Sequence, residues 1–182
     1  DLADYQRGLE FLERKEESLH RLHSDLMSAD SRPSDSTQFL QDVIYSTNYG
    51  WNQHRARRTT IDELLGSGKL GLIRNAHVRA AVGEYYKFEK GTHDRIEERE
   101  TRYPSISYQL VPRANEYELD PSLDDEQIES LVAAVFESNL REHVISEINF
   151  ARFVRERFVE LQSKCTDLIL TLQAYLETDH QA

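Results

Sequence analysis

A single cysteine, Cys165, occurs in 182 residues. One thiol excludes an intrachain disulfide framework and any metal site built from several thiolates. Proline and glycine are scarce, at four and seven residues, so few breakers interrupt the chain and long helices are favoured over a turn-rich sheet fold. No run of about 18 apolar residues occurs, so no segment here is expected to span a bilayer. Positive charge is in deficit: 22 Lys and Arg stand against 33 Asp and Glu, a formal net charge of −11. That balance argues against non-specific nucleic-acid binding, which needs a positive field, and against docking on anionic lipid.

What is present is 38% apolar and 30% charged, a composition suited to a helical bundle that exposes much surface. The length supports one helical domain over 1–182 with a core that needs no staples. From the N-terminus, Leu2, Tyr5, Leu9, Leu12, Leu19 and Leu26 recur in steps of three and four or their sums, broken by Glu16 and His23 and widened by Phe11 and Leu22. This predicts a long helix over about 2–28, ended by "SADSRPSDS". A second helix, carrying Phe39, Leu40, Val43, Ile44, Tyr45 and Trp51, should start near Ser34–Ser36 and end around Arg57. Thr60 with Glu63 matches a capping box for a short third helix, and Asn75 suits the N-cap of a fourth bearing Val78, Val82, Tyr85, Tyr86 and Phe88. Proline flanks "YPSISYQLVPRANEYELDPS", so an irregular connector is expected over about 103–122, with a short strand at 106–110 as the alternative. Asp124 and Gln127 match a second capping box. From there to Asp179 no Gly or Pro occurs, and Val154, Phe158, Leu161, Cys165, Leu168, Leu172 and Tyr175 form an unbroken heptad stripe. One helix over 124–178 would run about 80 Å at 1.5 Å per residue, so a break is expected between Ser138 and Asn149. The expected fold is all-α: an elongated bundle of about five helices with coiled-coil-like first and last members.

"LLGSGKLGLI" invites comparison with a phosphate-binding loop. That motif has Gly, four residues, then Gly-Lys-Ser/Thr, between a strand and a helix. Here Glu63 occupies the first glycine's place, Leu70 the place of the magnesium-binding hydroxyl, and a capped helix precedes the loop. Thr60, Glu63, Gly66, Gly68, Gly71 and Asn75 therefore read as a structural elbow between two helices, with Leu70, Leu72 and Ile73 plugged into the core.

Glu17/His20 and Glu177/His180 have the Glu-x-x-His spacing of di-metal bundles, but the first pair falls beside the apolar stripe and the second in a terminus. No metal, cofactor or catalytic set is assigned. Glu16 and His23 read as polar contacts at the bundle edge, with a pH-sensitive His–carboxylate contact as the sharper alternative. The basic run His54, Arg55, Arg57 and Arg58 reads as solvated or ion-paired. Tyr45, Tyr49, Trp51, Tyr85 and Tyr86 could line a small-molecule pocket if the second and fourth helices meet; core packing is the plainer reading. Cys165 lies on the apolar stripe, where a thiol is normally inert.

The segment "TTIDELLGSGKLGLIRNAHVRAAVGEYY", with Glu63-Leu64, Ser67-Gly68, Leu70, Leu72, Ile73, Arg79 and Tyr85-Tyr86, resembles an uncharacterised family of bacterial proteins. These have one N-terminal transmembrane helix followed by a helical soluble domain. "LEFLERKEESLHRLHSDL" resembles the helix after the anchor, and "CTDLILTLQAYLE" the last helix. The resemblance implies attachment to a bacterial cell membrane through an N-terminal anchor that this chain lacks, consistent with a trimmed fragment; the periplasmic side is preferred. It carries no activity and no functional residues. The function expected is a non-catalytic interaction domain that contacts a protein partner or a second copy; the alternative is a ligand-sensing bundle.

Overall fold

The computed structural model describes residues 2–28, 32–48 and 59–179. Among them the chain is all-α, with seven α-helices and one 3-10 turn: α1 (Leu2–Met27), α2 (Ser36–Tyr45), α3 (Thr59–Gly66), the turn Lys69–Leu72, α4 (Ala76–Glu97), α5 (Tyr103–Leu110), α6 (Asp125–Glu137) and α7 (Leu140–Asp179). The first and last helices are long, at 26 and 40 residues. No helix of the described residues is long and apolar enough to cross a membrane.

Several starts follow from capping chemistry. Asp35 accepts from the Gln38 backbone N–H at the head of α2, and Asn75 accepts from the His77 and Val78 N–H groups at the head of α4. Asp124 and Gln127 form the reciprocal box before α6. Each satisfies backbone donors that a helix N-terminus otherwise leaves without partners.

Three sequence expectations need correction. The second helix closes at Tyr45 rather than near Arg57, with Ser46 as its C-cap. The supposed connector is helical in its first half. Pro104 stands in the first turn of α5, where its fixed φ is pre-organised for helix and its missing N–H is not needed, so the alternating Ile106, Tyr108 and Leu110 belong to a helix and not to a strand. Irregular backbone runs only over 111–124, with one isolated bridge between Arg113 and Leu119. The added α5 and the division of 124–179 account for seven helices where about five were expected. The break falls at Ser138–Asn139: Ser138 has extended backbone, and its hydroxyl oxygen accepts from the Leu140 N–H at 3.1 Å.

The chain forms two compact units. One comprises Asp1–Leu9, Trp51–Glu98 and Glu156–Ala182; the other comprises Glu10–Gly50 and Arg99–Arg155. In the second, Leu19, Leu22 and Leu26 of α1, Phe39, Leu40, Val43 and Ile44 of α2, Tyr103 of α5, Val132 and Val135 of α6 and Leu140, Val144 and Ile148 of α7 close one core. Phe39 stacks on Phe136 with ring centroids 5.4 Å apart. The first unit has a smaller core of Ile61, Val78 and Val82, against which Leu64, Leu70, Ile73, Leu168, Leu172 and Tyr175 pack.

The buried face of α1 departs from the expected stripe. Tyr5, Leu12, Leu19 and Leu26 are buried as expected, but the companion row is Gly8, Lys15 and Leu22, three residues after each, and not Leu9, Glu16 and His23, four after each. Glu16 and His23 are therefore flanking residues rather than breaks in the seam. On α7 the stripe extends backward through Ala151, Glu147, Val144 and Leu140, all buried. One charged residue thus stands in the seam of each long helix.

Candidate functional site

The two charged seam residues meet in the second unit. Lys15 Nζ donates to Glu147 Oε1 at 2.5 Å and to the Asn48 carbonyl at 2.9 Å, and both side chains are fully buried. Thr101 Oγ1 donates to the other carboxylate oxygen, Oε2. Burial pulls the Lys15 amine below the ordinary lysine range, and the Glu147 charge opposes that pull. A buried pair is tolerated only when its remaining donors and lone pairs are satisfied, which Asn48 and Thr101 help to do. The arrangement clamps α1, the end of α2, the segment before α5 and α7 at one point.

A second polar group gathers at the C-terminus of α2. The Val43 carbonyl, one of the last four that a helix leaves without intrahelical partners, accepts from Thr47 Oγ1 at 2.9 Å and from Tyr103 OH and Ser107 Oγ at 3.2 Å each. Complete burial holds the Tyr103 phenol well above the usual tyrosine range, with the Glu147 charge adding to the effect. Arg113 Nη2 donates to Thr47 Oγ1 at 3.0 Å and to Ser107 Oγ at 2.8 Å. Its guanidinium carbon lies 4.0 Å from the Tyr108 ring centroid. Nearby, Arg21 grips Asp42 with Nε and Nη2 at 2.9 and 2.8 Å.

In the first unit, Tyr5 OH and Tyr85 OH share a hydrogen bond of 2.9 Å, and Tyr5 meets Phe158 edge-on at 5.9 Å. Burial raises both phenols; the nearby Glu89 charge adds to the rise at Tyr5, and the bond to Tyr5 adds to it at Tyr85. Cys165, buried, adds to the rise at Tyr85. Glu89 and His93, one turn apart on α4, bring Oε1 and Nε2 to 3.1 Å, both almost wholly buried. The His93 ring stands edge-on to Phe158 at 6.5 Å.

The residues singled out from sequence distribute as follows. Tyr45 packs on Phe11 and Tyr117, with centroids at 5.1 and 6.3 Å, in the second unit. Tyr85 and Tyr86 pack on each other at 4.9 Å, in the first. Tyr49 and Trp51 lie outside the described residues, as do His54, Arg55, Arg57, Arg58, His180 and the side chain of Thr60. Glu17, His20 and Glu177 are exposed. Glu16 accepts from Arg155 Nε at 2.7 Å rather than facing His23.

At the elbow, α3 leads into the glycines and Gly68 takes φ 69°, the left-handed region. Gly66 and Gly71 do not share that conformation, and a Cβ at either would meet nothing within 4 Å. Ser67 Oγ donates to the Glu63 carbonyl at 2.5 Å, and Arg79 Nη1 ties back to the Ile73 carbonyl at 2.7 Å. Leu70 and Ile73 pack on the core. Leu72 does not: it is 72% exposed, because the 3-10 turn points it away from the side occupied by Leu70 and Ile73.

Cavities lined by described residues include the following four. The largest, about 580 Å³, is bounded by Glu63, Leu64, Gly66, Ser67 and Lys69 at the elbow. One of about 410 Å³ lies between the 111–124 segment and α6, against Pro112, Leu123 and Leu131. One of about 350 Å³ is bounded by Phe88, Gly91, Thr92 and Arg95 of α4. The smallest, about 190 Å³, lies between α4 and α7 against Tyr85, Glu84, Lys164, Asp167 and Thr171. Of the buried titratable groups, Tyr85 alone lines one of these four; Lys15, Glu147, Glu89 and His93 do not. Among the described residues no cluster of three or more His, Cys, Asp or Glu is placed to hold a metal.

Sequence reasoning missed Lys15, Glu147, Glu89, His93 and Arg113. A signal existed for the first two, since Glu147 falls on the backward extension of the α7 heptad and Lys15 falls three residues after Leu12. No protein-family model, curated protein or solved structure matches the chain.

Proposed function

We propose that this chain is a non-catalytic helical interaction domain of a membrane-anchored bacterial protein, acting by contact with another protein or a second copy of itself. The observation that carries this reading is the outer surface of α7. Ile145, Val159, Leu170 and Leu176 are each more than half exposed. Val159 and Leu170, eleven residues or about three turns apart, share a face. Exposed large apolar side chains on one helix suit contact with a partner. The buried Lys15 and Glu147, by contrast, pair with each other and line none of the four cavities described above. The bacterial and membrane parts of the proposal rest on the resemblance carried by 59–86.

The test is sedimentation or light scattering across a wide concentration range, beside pull-downs of the full-length protein. Concentration-dependent association, or a partner lost on Val159→Glu and Leu170→Glu, supports the proposal. A protein that stays monomeric and captures nothing overturns it.

The cavity beside Tyr85 favours a second reading, a ligand-sensing bundle that binds a small polar metabolite. A thermal-shift screen of metabolites tests it: a hit abolished by Lys164→Ala supports it, and a screen with no hit removes it.

A further inference from the structure

One open cavity combines an apolar lining with charge of a single sign. It lies between the 111–124 segment and α6, measures about 410 Å³, and is lined by Pro112, Leu123 and Leu131 with Glu126, Gln127 and Ser130. Hydrogen bonds fix both of its sides. Gln41 of α2 accepts from the Leu119 N–H at 3.2 Å and donates to the Tyr117 carbonyl. The Ala114 N–H donates to the Glu118 carbonyl at 3.0 Å. On the α6 side, Asp124 and Gln127 exchange two bonds of 2.9 Å. A preformed surface lowers the ordering cost of binding. From Ala114 to Leu140 the chain carries eight Asp and Glu and no Lys, Arg or His. The positive end of the α6 macrodipole suits the acids of its first turn, and Arg32 reaches Glu129. Among the described residues no ion pair forms at Asp125 or Glu126, and Glu126 is exposed.

We infer that this cavity docks a basic segment of a partner protein. An apolar side chain seats against Pro112, Leu123 and Leu131, and a flanking Lys or Arg meets Glu126. Each part supplies what the other lacks. An exposed carboxylate alone makes a weak ion pair, and an apolar recess alone does not choose among partners. The acidic surround draws in cationic chains and repels acidic ones. A second copy of this chain, at net charge −11, is disfavoured on the same ground. A bare metal ion does not fit, because among the described residues no three acids are placed to share one. None of the exposed apolar residues of α7 lines this cavity, so this surface stands or falls independently of that one.

The experiment uses the whole chain labelled with ¹⁵N, and follows the backbone amide signals of Leu123, Glu126, Ser130 and Leu131. The probes are blocked peptides Lys-Arg-Z-Z-Arg-Lys, in which Z is Leu, Ile, Phe or Trp. The controls are the same peptide with Gly at Z, the Leu peptide with Glu in place of every Lys and Arg, and spermidine. The expected result is a saturable shift of these amides with at least one apolar-centred basic peptide. The Gly peptide and spermidine should bind at least tenfold more weakly, and the acidic peptide should leave the signals unmoved. Glu126→Lys should weaken the best peptide at least tenfold. No saturable shift with any of the four peptides would overturn the inference. So would a Gly peptide or spermidine that binds within tenfold of the best, or shifts that spare these amides. The wild-type titrations alone decide this even if Glu126→Lys fails to fold.

Discussion

The two compact units bury titratable side chains in different ways. In the unit formed by Glu10–Gly50 and Arg99–Arg155, Lys15 and Glu147 come from helices 132 residues apart in sequence. In the other, Glu89 and His93 come from adjacent turns of α4. The first pair can form only if α1 and α7 stand in one axial and rotational relation, so it selects an arrangement of helices. The contact of Glu89 with His93 is set by the helical geometry of α4 itself. A buried ion pair is costly to desolvate; the long-range one returns positional specificity. In the unit that holds α4, Tyr5 and Tyr85 add a long-range, neutral hydrogen bond.

The largest effect should come from breaking the long-range pair. Glu147→Ala leaves Lys15 buried without its anionic partner and should cost about 3–5 kcal/mol, measured by urea unfolding. A deep loss is also expected in alkali. Tyr5, Tyr85 and Tyr103 all hold their protons more tightly when folded. Their contribution is fully present below the unfolded tyrosine value of about 10 and falls as pH rises beyond it. Lys15, lowered on folding, acts in the opposite sense: its penalty eases as pH approaches the ordinary lysine value. Three phenols against one amine give net destabilisation above about pH 10. Alkaline unfolding followed by tyrosinate absorbance should show these rings ionising only as the chain unfolds.

Breaking the local pair should cost less. His93→Leu keeps the bulk beside Phe158 and removes one partner of a contact made within one helix, for about 1–3 kcal/mol. A loss matching that of Glu147→Ala would erase the distinction between the units. Smallest is a backbone change: Gly68→Ala places a Cβ at φ 69° and should cost about 1–2 kcal/mol, while Gly66→Ala, without that conformation, should be close to neutral or slightly stabilising. Thermal unfolding of the two variants side by side sharpens the assignment of the elbow.

Much of the fold could be read from periodicity and caps. The all-α class, the long terminal helices, the Asn75 cap and the Asp124–Gln127 box rest on local chemistry that a short window of residues contains. The register of α1 did not, because rows at i+3 and i+4 from Tyr5, Leu12 and Leu19 are both compatible with a heptad. The rows Leu9, Glu16, His23 and Gly8, Lys15, Leu22 each hold one large apolar residue, and only a partner at Glu147 makes a lysine acceptable inside. Helix α5 was hidden because Pro104 reads as a breaker unless it is placed in a first turn. The break at Ser138–Asn139 was expected from length alone; the serine hydroxyl that makes it was not singled out. The candidate sites were least legible, since Arg113, Thr47, Ser107 and Tyr108 converge only through the packing of α2, α5 and the 111–124 segment.

Lys15 and Glu147 act as one unit whose value lies in their pairing. A double-mutant cycle with Lys15→Met, Glu147→Leu and the combined variant, read by denaturant unfolding, tests it most directly. The prediction is that each single change costs about 3–5 kcal/mol while the double variant returns to within about 1 kcal/mol of the parent or exceeds it. Single effects that add to within about 0.5 kcal/mol would contradict it.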